Sequence, residues 1–64
     1  MKIAINGKSV ETQHRLLLDI VEEFGASGPY ALAVNGDFVP KSQYPAFEVN
    51  PGDLVDIVSP IFGG

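Results

Sequence analysis

A chain of 64 residues and 6.8 kDa has room for one domain, and at that length only about 60% of the unfolded surface is buried on folding, too little for a deep two-walled catalytic pocket. A net charge of -4 and a sequence pI of about 4.5 repel phosphate backbones and anionic membranes, which excludes nucleic acid and membrane surfaces as expected partners. The absence of cysteine excludes disulfides, thiolate nucleophiles and Cys-based metal sites, so any sulfur chemistry must use another atom.

The remaining composition, 45% hydrophobic and 19% charged, is that of a globular domain. The first residues contain no apolar leader core, and no apolar run reaches the roughly 18 residues of a membrane span. The expected compartment is the cytoplasm.

In chain order, Lys2 to Asn6 alternates with Ile3 and Ile5 on one face, and Asn6-Gly7 supplies the positive φ angles of a tight hairpin turn. A short second strand, Ser9 to Thr12, follows. Leu17, Ile20, Val21 and Phe24 recur at helical spacing, with Asp19, Glu22 and Glu23 on the other side, which predicts one amphipathic helix. Gly25 stands where a left-handed residue ends a helix, whereas Leu16 occupies the N-cap and has no side-chain oxygen to accept the orphan amides.

Beyond a Ser27-Gly28-Pro29 link, Tyr30 to Val34 reads as a buried strand. Asn35-Gly36 is a second hairpin signal leading into Asp37 to Val39, which Pro40 closes. Lys41 to Ala46 has turn character, and Phe47 to Val49 is expected as a short edge strand. Asn50-Pro51-Gly52-Asp53 is a turn with Pro and Gly at its central positions. Leu54 to Ser59 is the last strand, with Val55 and Ile57 toward the helix and Asp56 toward solvent, and Pro60 ends its pairing.

The order β-β-α-β-β-β is that of an α+β roll: a mixed sheet with one main helix, a right-handed crossover, and the first and last strands paired in the centre. Residues 1–60 are expected to form the domain and 61–64 a short tail.

The tail carries the clearest chemistry. Two glycines at the end, Gly63 and Gly64, let the backbone thread a narrow channel and adopt angles closed to other residues. A terminal carboxylate on Gly64 is ionised at neutral pH and can attack the α-phosphate of ATP, giving an acyl-adenylate ready for a sulfur nucleophile. No glycine-rich phosphate loop is present, so the ATP is expected to be bound by an activating partner and no cofactor by this chain.

His14 has no second histidine or cysteine beside it and reads as an exposed residue near the helix start; a metal site is not expected. Asp19, Glu22 and Glu23 read as a solvated helix face. Leu18, on that polar side, reads as an ordinary exposed apolar residue. Val58, Ile61 and Phe62 lie on or beside the last strand, where Ile61 and Phe62 serve either to dock a partner or to pack back on the domain.

With these features the chain resembles the ThiS family, the ubiquitin-like sulfur carriers of thiamine biosynthesis, over essentially its full length. The matching residues are Ala31-Leu32-Ala33-Val34-Asn35, Val39-Pro40, Gly52-Asp53 and the closing Gly63-Gly64. The resemblance implies a β-grasp (ubiquitin-like) fold and a non-enzymatic role as protein co-substrate. It implies that Gly64 is adenylated by a ThiF-like adenylyltransferase, converted to a thiocarboxylate with sulfur from a desulfurase system, and used by a ThiG-like thiazole synthase. Leu16 departs from the family, whose members often place Thr before the helix. The Ser59-Pro60-Ile61-Phe62 stretch is also similar to the molybdopterin carrier MoaD. A ubiquitin-type protein modifier, or a binding module using the sheet face, stand as readings from other classes.

Overall fold

The computed structural model describes residues 1–26 and 28–59. Five strands, β1 (Lys2–Ile5), β2 (Lys8–Glu11), β3 (Ala31–Val34), β4 (Asp37–Phe38) and β5 (Leu54–Val58), form one mixed sheet, and helix α1 (Leu17–Phe24) crosses one of its faces. The order across the sheet is β2-β1-β5-β3-β4. β1 and β5 pair in the middle of a mixed sheet, as the sequence predicts; they run parallel, and every other neighbouring pair is antiparallel.

Both Asn-Gly pairs adopt positive φ, 51° and 83° at Asn6-Gly7 and 54° and 87° at Asn35-Gly36, the twist that joins adjacent right-handed strands without splaying them. Their side chains also reach the central strand. The Asn6 Oδ1 accepts the Ile57 amide at 2.8 Å and the Asn35 Oδ1 accepts the Leu54 amide at 2.9 Å. Where β1 turns away, the Asn6 side chain therefore supplies the rung that its backbone no longer can. Asn35 also donates to Asp53 Oδ1 at 3.0 Å, and Asp53 Oδ2 accepts the Asn50 amide, which locks the turn before β5. Gly52, at φ 87°, takes the left-handed position that this turn type requires.

The core lies on one face of the sheet. Ile3, Ile5, Leu32, Val34 and Val55 from the strands meet Leu17, Ile20 and Val21 from α1, and Val39, Tyr44 and Val49 close the end. The helix ends at Gly25 in the left-handed conformation, with the Gly25 amide donating to the Glu22 carbonyl.

Leu16 makes no side-chain cap, yet the helix start is not left open. The Leu17 amide donates to the Phe47 carbonyl at 2.9 Å, the Val49 amide donates to the Arg15 carbonyl at 2.7 Å, and Leu16 bridges Glu48. Backbone pairing thus takes the place of a capping side chain for the first orphan amide.

This pairing corrects one expectation. Phe47 to Val49 is not an edge strand of the sheet; it pairs with the residues before α1, and its alternation reflects Val49 turning into the core. Lys41–Ala46 forms a 3-10 helix that packs on α1. Leu18 is half-buried against the core rather than exposed. Phe24, expected in the core stripe, is 42% exposed; it closes the helix at the rim of a groove instead of lying over the sheet.

Candidate functional site

Gly63 and Gly64, with Ile61, Phe62 and the Pro60 boundary, lie outside the described residues. The described residues show how the chain leads up to them. Alternation along β5 buries Val55, with Ile57 half-buried, and turns Leu54, Asp56 and Val58 to the opposite face. Val58 is 51% exposed, in register with Ala31 on β3, so it stands on open sheet surface. The backbone of Ile57 is held between β3 on one side and the Asn6 side chain on the other. The last strand is therefore held on both sides at Ile57 and remains paired with β3 through Val58.

Beside this strand end, Asn6, Phe24, Gly25, Ala26, Tyr30, Ile57 and Ser59 line an open groove of about 200 Å³. Among the described residues no carboxylate or histidine lines it. It fits one apolar side chain better than a substrate with charged groups to position.

The outward face of the sheet is more apolar than sequence reading detects. Phe38 is 72% exposed and Leu54 57% exposed, on the same face as Val58. The strand register places Ala4 beside Leu54, Ala33 beside both Asp56 and Phe38, and Ala31 beside Val58. Small alanines, Ala4 and Ala31 half-buried and Ala33 buried, lie between the three large exposed side chains and keep the surface low. The signal was present in the strand period, since residues two apart on β5 share a face, but it needs the neighbouring strands to become a patch.

His14 and the helix carboxylates are separate from this surface. His14 Nε2 lies 3.7 Å from Glu23 Oε2, both about half exposed, while buried Thr12 donates to Glu23 Oε1 at 2.8 Å and accepts the His14 amide. The arrangement ties the β2–α1 connection to the helix. Asp19, Glu22 and Glu23 are exposed, as the helical spacing predicts. Among the described residues there is no group of three or more histidines and carboxylates placed to hold a metal ion, and no helix is long and apolar enough to cross a membrane.

A five-stranded mixed sheet with parallel central strands, wrapped around one main helix, defines a β-grasp domain of the ubiquitin-like class. The solved ThiS thiamine biosynthesis protein from Geobacter metallireducens superposes with a TM-score of 0.81, covering all of both chains at 19% identity. The sequence profile of the ThiS family matches residues 1–64. The chain belongs to the ThiS family, the small sulfur carriers of thiamine biosynthesis. No curated protein sequence matches it at a significant level.

Proposed function

We propose that this chain carries sulfur on the carboxylate of Gly64, as a protein co-substrate and not as an enzyme. The observation that carries the reading is the match to the ThiS family across all 64 residues, with Gly63-Gly64 as the last matched pair. The pinned end of β5 supports it, because a strand held up to Ile57 delivers the following residues from a defined point on the domain surface.

In the proposed reaction one Gly64 carboxylate oxygen attacks the α-phosphate of ATP held by a ThiF-like adenylyltransferase. The bond from that phosphorus to the bridging oxygen breaks and pyrophosphate leaves. Hydrosulfide, released from the persulfide of a desulfurase system by a thiol reductant, then attacks the acyl carbon, AMP departs, and a thiocarboxylate remains. A ThiG-like thiazole synthase takes the sulfur. ATP belongs to the partner, and the chain itself binds no cofactor. Val58, and beyond it Ile61, Phe62 and Gly63, provide contact with these partners. The reactions take place in the cytoplasm.

The test is ATP–pyrophosphate exchange with the cognate activating enzyme, followed by intact mass after addition of sulfide. Wild type is expected to exchange and then to gain one sulfur in place of one oxygen. Deleting Gly64 withdraws the carboxylate by about 3.3 to 3.6 Å, as much as the whole near-attack separation of about 3 to 3.5 Å, and is expected to abolish exchange. Wild-type exchange in the deletion variant overturns the reading. Covalent attachment to lysines of other proteins would identify a modifier instead.

A further inference from the structure

Strand β5 is held differently along its two edges. Beside β3 the register continues to Ala31–Val58, whereas beside β1 it stops at Ile5–Val55. In a regular parallel ladder the next β1 residue would donate its amide to one residue of β5 and accept, on its carbonyl, the amide two residues further on. Asn6 makes the first bond in the ordinary way, its amide donating to the Val55 carbonyl at 2.9 Å. The second is made by its side chain: the Ile57 amide donates to Asn6 Oδ1 at 2.8 Å, while a φ of 51° turns the backbone away into the hairpin.

Past this point β1 has left the sheet. Two open hollows lie along the edge of β5 that it vacates, one lined in part by Asn6, Ala26 and Ile57 and the other by Asn6, Ile57, Val58 and Ser59. The Asn6 side chain therefore bridges a gap that no strand fills, one residue before β5 ends at Val58. The other Asn-Gly turn is the contrast. Asn35 Oδ1 accepts the Leu54 amide at 2.9 Å, but it does so at the beginning of β5, where the Asn35 amide also donates to the Leu54 carbonyl at 2.7 Å and Asp53 is tied to both Asn35 and Asn50.

We propose that Asn6 is a positioning residue for the adenylation of Gly64: its side chain fixes the direction in which β5 hands the tail to the activating enzyme. The proposal rests on the sulfur-carrier reading. A strand bonded along both edges at Ile57 has one heading, whereas a strand bonded only to β3 can swing about that edge and fray from its end. Gly64 is seven residues beyond Ile57, a reach of at most about 23 to 25 Å. A swing of about 10° at Ile57 displaces the end of that reach by about 4 Å, more than the near-attack separation of about 3 to 3.5 Å between carboxylate oxygen and α-phosphorus. The loss falls on the chemical step. Contacts made by the domain are unchanged, so the carrier still docks, but fewer docked complexes hold the carboxylate where it can attack.

The experiment measures ATP–pyrophosphate exchange with the cognate activating enzyme over a range of carrier concentrations, for wild type, Asn6→Gly, Asn6→Asp and Asn35→Gly. Both glycine variants keep the positive φ of their turns and lose a bond to β5, so they are matched in stability and differ in which end of the strand they release. Asn6→Gly is expected to lower kcat about tenfold, with KM for the carrier within about twofold of wild type. Asn6→Asp keeps an oxygen acceptor and tolerates the left-handed conformation, and should restore most of kcat. Asn35→Gly should match wild type. Amide hydrogen exchange followed by NMR should be faster at Ile57 in Asn6→Gly than in wild type, and unchanged there in Asn35→Gly.

Wild-type kcat in Asn6→Gly overturns the proposal while leaving the carrier reading intact. So does an equal fall in Asn35→Gly, which would trace the effect to stability, and so does a failure of Asn6→Asp to recover, which would show that the acceptor oxygen is not what matters. A rise in KM at constant kcat assigns Asn6 to docking and also overturns it. No pyrophosphate exchange in wild type overturns the carrier reading, and this proposal with it.

Discussion

Adjacent residues Leu54 and Val55 make the sharpest test of the fold, because the same substitution should unfold the protein at one position and be tolerated at the other. Val55 is 1% exposed, flanked by Ile5 on β1 and Val34 on β3 and packed in one cluster with Leu17, Ile20 and Val21. An aspartate there has no cation within the core to meet. Burial raises carboxyl pKa values by up to 3 to 5 units in fully buried sites. At about 1.36 kcal/mol per unit, and counted from the ordinary aspartate pKa of about 3.9 up to neutral pH, holding the group protonated would cost roughly 4 kcal/mol.

Loss of the buried valine adds roughly 1.5 to 3 kcal/mol. The total of about 5 to 7 kcal/mol exceeds the roughly 3 to 5 kcal/mol that a single core supplies in a domain of 64 residues. Val55→Asp should therefore be unfolded at 25 °C, and Leu54→Asp, on the solvent side, should keep its fold with a change within about 1 kcal/mol. Far-UV circular dichroism and thermal melting of the two variants decide it. A cooperative melt of Val55→Asp near the wild-type temperature would refute the assignment of faces to β5.

Asn6→Gly and Asn35→Gly each keep the turn's positive φ and remove the side-chain bond to β5, so each should lower stability by roughly 0.5 to 1.5 kcal/mol in urea unfolding, and an unchanged midpoint would show that these exposed bonds are replaced by water at no cost. Leu16→Ser should stabilise by about 0.5 to 1 kcal/mol by giving α1 an N-cap oxygen in an already extended backbone, a rise of several degrees in Tm for a domain of this size. Charged substitutions at Ile61 and Phe62 should weaken binding to the activating enzyme in calorimetry without moving the melting temperature, and unchanged affinity for both would leave them as spacers.

Local stereochemistry accounts for what the sequence by itself determined. Asn-Gly admits two successive positive φ angles, so both hairpins were legible at Asn6-Gly7 and Asn35-Gly36. A 3.6-residue spacing followed by Gly25 marked the helix and its end. A period of two in β5 marked Val55 as inward and Asp56 as outward. These features together led to the β-grasp topology, and the closing glycines named the candidate carrier residue before any coordinates.

Only the tertiary structure decided the rest, because each remaining feature depends on a neighbour distant in the chain. Phe47 to Val49 alternates like a strand, and its partner proved to be the segment before α1. Leu18 looks solvent-facing on a helical wheel but packs half-buried against the core, and Phe24 looks buried until the helix is seen to end at a groove. The asparagine side chains at 6 and 35 could be read as turn formers, but not as supports for a strand 19 or more residues away. The apolar face is the clearest case. Phe38, Leu54 and Val58 are scattered in sequence, and register across three strands gathers them around Asp56, since hydrogen bonding between strands, not proximity along the chain, sets which side chains share a surface.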